Sequence, residues 1–379
     1  MALNEFNFQK YLKKNPSEII EKINSVSDGF FHIGVVIPVL GESEFIWQTL
    51  QSLEVAQKNF NEEVLVLLVF NHNAKTPIEY IKDNEILIEK ISAKPFKFPR
   101  LNLSIINLTT PLRYAVGEAR KKGMDSIIEL IAPVYSMAKN SIIVSLDADT
   151  LVESDYFSKI KQVFESNPHL DAAAFEVIHQ HSNDEKIEKA IRHYERYLEN
   201  YYLALKECNS PFAYKSVGSA LAVRVSSYIQ AGGMRQERSG EDFYFLEAVA
   251  KIGKVDFIRE IIVHPSPRIS KRVAFGTGIA VEDIINGKNY PDFSTHACQE
   301  LKKLLDSVEN HNLISVETFL NMQTITTRNF LIEHNFPKSW EKVLKNYPHN
   351  QLSKQFKFYY FDALKTLQFL KRHSLTEQE

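Results

Sequence analysis

Ser141-Ile-Ile-Val-Ser-Leu-Asp147-Ala-Asp149-Thr150 is the stretch on which the fold turns. Its apolar run, Ile142 to Leu146, has the length of a buried strand. Two carboxylates, one residue apart, stand where that strand meets a loop. An unpaired carboxylate in apolar surroundings is costly, so such a pair commonly has a cation to bind. From a loop both aspartates reach one ion, and an ion held by few protein oxygens keeps positions for phosphate. The competing reading is a solvated loop in which Asp149 or Ser154 caps the next helix.

Around this stretch, apolar strands alternate with helical periodicity. Ile33-Gly-Val-Val-Ile-Pro-Val39 and Val64-Leu-Val-Leu-Leu-Val-Phe70 read as strands covered on both faces, and Ser104 to Leu108 as a third. Ser43 to Gln57 reads as a helix, with Ser43 as N-cap and Phe45, Ile46, Leu50 and Leu53 on one face. Ile78 to Ile91 is expected to be helical, and Arg113 to Ala138 helical with interruptions at Gly117, Gly123 and Pro133. A helix (Ser154 to Ser166), a strand (Ala172 to Val177) and a long amphipathic helix (Asp184 to Glu207) follow. The alternation predicts an α/β fold with a mostly parallel, doubly wound sheet flanked by helices. Residues 1–30 read as a helical lead-in, 31–288 as the main domain, and 289–379 as a helical C-terminal region. The last has helix patterns at His296–Val308, Val316–Asn335 and Leu352–Lys371. In such sheets ligands gather beyond the carboxyl ends of the strands. There the chain carries Gly41-Glu42, Asn71-His72-Asn73, and Asp147 with Asp149, so these are expected around one crevice.

The 379 residues are 44% hydrophobic and 24% charged, which fits a globular protein. A net charge of -2 gives no case for nucleic-acid binding. The two cysteines, Cys208 and Cys298, lack metal-ligand spacing and read as reduced thiols of a cytoplasmic protein. No signal peptide is expected from the first residues, and no apolar run approaches the ~20 residues that cross a bilayer.

Two further segments carry chemistry. In Ala231-Gly-Gly-Met-Arg-Gln-Glu-Arg-Ser-Gly240-Glu241-Asp242, a glycine-rich loop ends in two acids that open a helix, Glu241 to Ile252. Either the pair simply answers the helix dipole, or one acid is a general base. Asp242 is the candidate base and Glu241 its support or an acceptor-binding residue. In Val263-His264-Pro-Ser-Pro-Arg268-Ile-Ser-Lys-Arg272, basic residues precede a glycine-rich turn and a helix, Ile279 to Ile285. Arginine forks and a helix N-terminus suit a diphosphate, although a solvated surface turn is the plainer reading. His264 is a candidate third metal ligand or a structural hydrogen-bonder. The glycine signatures of nicotinamide-binding folds and P-loop enzymes are absent, as is a Gly-x-Ser-x-Gly elbow.

In this order the motifs resemble the inverting glycosyltransferases of family 2, which have the GT-A fold. The matching residues are Val-Val-Ile-Pro38-Val-Leu-Gly-Glu42, Asp147-Ala-Asp149, Gly232-Gly233…Gly240-Glu241-Asp242 and Pro267-Arg268…Arg272, spanning about residues 33–285. Phe275-Gly-Thr-Gly278 and Pro211-Phe-Ala-Tyr…Val217-Gly218-Ser219 are similar to a bacterial branch of that family. The resemblance implies that Pro38, Glu42 and Asn71 contact the nucleoside of a UDP- or GDP-linked sugar. It implies that Gly117 and Arg120 flank base and ribose, and that Asp147 meets the ribose or sugar. Asp149 would bind Mn²⁺ or Mg²⁺ through the diphosphate, Asp242 would be the base, and Arg268 and Arg272 would stand where processive members carry Gln-x-x-Arg-Trp. Asn71-His72-Asn73 departs from the acidic strand end usual in the family. The arginine stretch is not the processive motif, so transfer of a single sugar is expected. The acceptor would be a glycan, a lipid-linked or a small-molecule hydroxyl, met in the cytoplasm or at the inner membrane face. A nucleotidyltransferase and a non-catalytic nucleotide-sugar or glycan-binding protein are the alternatives. The first usually has an Arg/Lys-containing glycine loop after its opening strand, which Val39-Leu-Gly-Glu-Ser lacks.

Overall fold

The computed structural model describes residues 3–24, 31–93, 98–237, 240–270, 276–290, 292–310 and 315–375. The chain forms two compact units, one of Met1–Glu195 with Lys215–Lys288, the other of Arg196–Tyr214 with Asn289–Glu379.

The first unit is built on a nine-stranded sheet in the order β1-β4-β3-β2-β5-β8-β7-β9-β6. In chain order its strands are β1 (Glu21–Asn24), β2 (Ile33–Val39), β3 (Val64–Phe70), β4 (Asn102–Asn107), β5 (Ile142–Ser145), β6 (Leu151–Val152), β7 (Leu170–Val177), β8 (Leu221–Arg224) and β9 (Lys254–His264). The central run β4-β3-β2-β5 is parallel. β8 then runs antiparallel to both β5 and β7, β9 is parallel to β7, and β1 and β6 lie antiparallel at the two edges. The sheet is therefore mixed rather than mostly parallel. Its second half escapes hydrophobic patterning because β8 is only four residues long and β9 is half-exposed along most of its length. The lead-in is likewise not all helix: α1 (Glu5–Lys14) is followed by the edge strand β1.

Strand periodicity sorts the core. Val35, Ile37, Val39, Val64, Val66, Leu68 and Phe70 face one layer with Leu50 and Leu53 of α2 (Ile46–Lys58), Leu87 of α3 (Ile78–Ser92) and Phe157 and Ile160 of α5 (Tyr156–Ser166). The opposite face of β2 and β3 receives α4 (Ala115–Ile131). Contrary to expectation, Gly117 and Gly123 do not interrupt α4. A Cβ on Gly123 would fall 2.6 Å from both Val36 Cγ1 and Val69 Cγ2, so glycine is what lets the helix sit this close. The helix opens where Glu118 accepts backbone N–H bonds from Arg113 (2.9 Å) and Tyr114 (3.1 Å), which gives partners to two amides ahead of its first turn. Ser43 is not the cap of α2. It hydrogen-bonds Asp83 through both its amide and its hydroxyl, and the helix begins at Ile46 without a side-chain cap.

The first unit also contains α7 (Val225–Gln230), α8 (Glu241–Ile252) and α9 (Thr277–Ile285). Helix α6 (Glu185–Glu207) carries the chain from the first unit into the second. The second unit is helical: α10 (Thr295–Asn310), α11 (Val316–Asn321), α12 (Ile325–Glu333), α13 (Phe336–Asn346), α14 (Leu352–Lys354) and α15 (Ala363–Leu375). The run expected to be one helix over Val316–Asn335 is two, because Thr324 caps a new start through the amide of Thr327. Leu352–Lys371 likewise divides near Asp362, which accepts from the Lys365 amide. The core of this unit is aromatic, with Trp340 stacked on Phe336 and set edge-on to Phe356. No described helix is long and apolar enough to cross a membrane.

Candidate functional site

Glu42 reaches the carboxyl edge of the sheet from the turn after β2. Gly41 makes that turn with φ +64°, and a Cβ there would lie 2.6 Å from the Tyr80 ring. Pro38 is buried within β2. The Asn71 amide N–H bonds to the carbonyl of Val39, and the Leu146 amide to that of Val36, so Val36 and Pro38 both turn their backbone towards β5. β5 pairs with β2 only as far as Val36, so proline's missing N–H forfeits no ladder bond. Asn71 is also buried and knits the strand ends together. Its amide donates to the carbonyls of Val39 (3.0 Å) and Val69 (3.1 Å), and its backbone carbonyl accepts from Asn84 (3.0 Å).

At the end of β5, the Thr150 amide closes a turn onto the Asp147 carbonyl, which presents both aspartates. The turn is clasped from three sides. Thr49 donates to the Ala148 carbonyl (2.8 Å), and Gln180 (3.0 Å) and the Ser266 amide (3.1 Å) donate to that of Asp149. A turn fixed through its backbone leaves its carboxylates to their own partners.

Those partners are two arginines. Arg120, buried on α4, reaches Asp147 at 2.5 Å and Glu241 at 3.1 Å, and donates to Ser145 (2.8 Å) and the Gly218 carbonyl (2.6 Å). Burial works against its charge, but Asp147, Glu241 and Asp242 outweigh burial and raise its pKa. A Cβ on Gly218 would intrude to 2.7 Å from the guanidinium, so the arginine's seat requires glycine there. Gly117 has a similar role: its Cβ would meet the Glu237 carbonyl at 2.5 Å and Glu241 Cβ at 3.1 Å. It sets how closely α4 approaches the loop before α8, and its buried Cα leaves packing as its visible work.

Arg268 is the second bridge. Its Nη2 lies 2.7 and 2.8 Å from the two carboxylate oxygens of Glu42 and 2.8 Å from Asp149 Oδ2. Its guanidinium lies 4.2 Å above the Phe45 ring. Burial again opposes the charge, and Asp149 and Glu42 more than restore it.

Glu241 and Asp242 open α8 after Gly240, which has φ +74°. Glu241 is buried against Arg120. Asp242 is half-exposed, and desolvation followed by the Glu241 charge pushes its pKa up to about 7, while Arg120 and the Phe243 amide pull the other way.

The structure thus gathers Glu42, Arg120, Asp147, Asp149, Glu241 and Arg268 through direct contacts, with Asp242 in the electrostatic field of the same group. His264 is engaged elsewhere: Nε2 meets Glu153 (2.6 Å) and Nδ1 the Ile178 carbonyl (2.8 Å). Arg272 lies outside the described residues. Among the described residues no group of three or more His, Cys, Asp or Glu side chains is arranged to hold a metal ion. The oxygens that do converge, from Glu42 and Asp149, are the hard donors that Mg²⁺ and Mn²⁺ take, and such ions commonly use one or two carboxylates and complete their shell with substrate phosphate. Sequence reasoning missed Ser145, Gly218, Gln180 and Phe45 as parts of the site. Each acts by touching another site residue, which leaves no local signature.

No family model matches the chain, and no curated protein matches it. Among solved structures, it is distantly similar to a mannosyltransferase from Pyrobaculum calidifontis in complex with GDP-mannose and Mn²⁺ (TM-score 0.43, 12% identity, 98% of this chain and 95% of that one). A similar distant likeness links it to Staphylococcus aureus TarS 1–349 (TM-score 0.41, 10% identity, 86% of this chain and 91% of that one). The match spans 55% of a longer TarS chain.

Proposed function

We propose that this protein is a glycosyltransferase of the kind its motifs resemble, moving one sugar from a nucleoside-diphosphate donor to a hydroxyl acceptor with inversion. The observation that carries this reading is the Arg120 bridge from Asp147 to Glu241. It joins the strand-end carboxylates suited to a cation and diphosphate to the helix-opening acids suited to a base. The leaving-group and acceptor halves of one displacement then share a crevice.

In this reading Asp242 takes the acceptor proton as the hydroxyl oxygen attacks the anomeric carbon, and the bond from that carbon to the diphosphate oxygen breaks. A carboxylate with a pKa near 7 is a stronger base than an ordinary aspartate and remains ionised just above neutrality. Glu241 and Arg120 hold the opening turn of α8 towards Asp147. Asp149 and Glu42 would hold Mn²⁺ or Mg²⁺, which when bound supplies positive charge to the departing diphosphate. Arg268 adds a guanidinium matched to phosphate oxygens.

The test is thermal stabilisation by UDP, GDP and their sugars, each with Mn²⁺, Mg²⁺ or EDTA, in wild type and Asp149→Asn. Cation-dependent stabilisation by one nucleotide family, lost in the variant, is the expected result. No stabilisation of the wild type by any donor would overturn the reading.

A further inference from the structure

Three carboxylate oxygens meet on a single nitrogen. Glu42 Oε1, Glu42 Oε2 and Asp149 Oδ2 all lie 2.7–2.8 Å from Arg268 Nη2. That convergence is what a small cation would experience after the oxygens closed in by about half an ångström. The guanidinium is steadied from behind by the Phe45 ring at 4.2 Å, and the loop carrying it is tied to the site by the Ser266 amide on the Asp149 carbonyl. Arg268 is therefore built into the position, not draped over it.

We propose that Arg268 and a divalent cation are alternative occupants of one seat between Glu42 and Asp149, and that the cation enters only with a diphosphate that takes over the arginine. This rests on the donor site of the preceding section and assigns Glu42 to the cation instead of the nucleoside. The charges give the reason. With arginine seated, one positive charge sits on both carboxylates. A divalent ion arriving alone has to displace a fixed positive group and leave it nearby without a partner, a like-charge arrangement in a partly dry site. A diphosphate removes that obstacle, because it offers the guanidinium a bidentate anion as the ion takes the carboxylates. Cation and nucleotide then bind cooperatively, each raising the other's affinity by the same factor.

The experiment is Mn²⁺ binding, followed by the paramagnetic resonance of the free ion, alone and with saturating UDP or GDP. Wild type, Arg268→Met, Phe45→Leu and Asp149→Asn are compared. Wild type is expected to bind Mn²⁺ weakly alone and strongly with one nucleotide. Arg268→Met should bind Mn²⁺ alone about tenfold more tightly than wild type and lose most of the nucleotide-dependent gain. Phe45→Leu keeps both carboxylates and the arginine and removes only the stacking, so it should shift the same way by about threefold. It also serves if the Met variant fails to fold. Nucleotide-dependent binding that Asp149→Asn abolishes, together with Arg268→Met and Phe45→Leu binding Mn²⁺ alone no better than wild type, would overturn the exchange and leave the donor site standing. If Asp149→Asn binds Mn²⁺ with nucleotide as wild type does, the cation lies elsewhere and both proposals fall.

Discussion

At the scale of single residues, Asp242 links chemistry to stability. In the folded protein its carboxyl keeps a proton to about pH 7, whereas unfolded aspartate loses it near 3.8. Between these values the folded state holds more protons than the unfolded state, so its stability falls as pH rises through about 7. Asp242→Asn removes that cost. It should raise stability at pH 8 by about 1–2 kcal/mol, a figure reduced by the side chain's partial exposure, and change nothing at pH 3, as denaturant melts would show. The same variant should abolish sugar transfer, while wild-type kcat/KM climbs about tenfold per pH unit below 7 and levels above it. A flat profile would remove Asp242 as the base. Gly218→Ala tests the seat of Arg120: the added methyl displaces the guanidinium from Asp147 and Glu241. Turnover should drop at least about tenfold and stability by about 3–5 kcal/mol in denaturant melts, because Glu241 is left as a buried charge without its arginine. Asp147, Asp149, Glu241 and Asp242 could be singled out in sequence because carboxylates at a strand end and a helix start advertise chemistry. Gly218 was visible only as part of a motif and its role was not, since that role is to seat the guanidinium of a residue 98 positions away.

At the scale of elements, what could be read depended on how much of each element was apolar. β2 and β3, buried along their whole length, stand out with their exact ends, as does α8. β8 and β9 do not, and with them went the antiparallel half of the sheet. Helix α4 illustrates the limit well. Its glycines look like breaks in a one-dimensional pattern, yet they are its contact surface with β2, β3 and the loop before α8. Gly123→Ala should accordingly destabilise the protein by about 1–3 kcal/mol even though alanine favours helix, because Val36 and Val69 are packed side chains with nowhere to go. A gain in melting temperature would contradict this close approach. Helix α1 is fastened to the same helix from outside: Tyr11 (2.7 Å) and Tyr228 (2.8 Å) both donate to Asp125, while Lys121 takes its other oxygen at 2.6 Å.

At the scale of the whole chain, the helical unit is not simply the C-terminal quarter. Ala204, Leu205 and Cys208, which belong to the earlier stretch Arg196–Tyr214, are buried in the same core as Leu301, Phe330 and Trp340. Truncation after Lys288 should therefore not yield a clean first unit. It strips the cover from these residues, and the product should bind a hydrophobic dye and elute as aggregates in size-exclusion chromatography. A monodisperse truncated protein would show that the earlier stretch is indifferent to its core partners. The division also has a meaning in time. During synthesis Arg196–Tyr214 is made about 75 residues before its partners from Asn289 onward, an interval of roughly 4–15 s at typical elongation rates. Throughout that interval the emerging chain carries an apolar helix end whose core partners have not yet been made, so the order of the segments sets how long that surface waits for its cover.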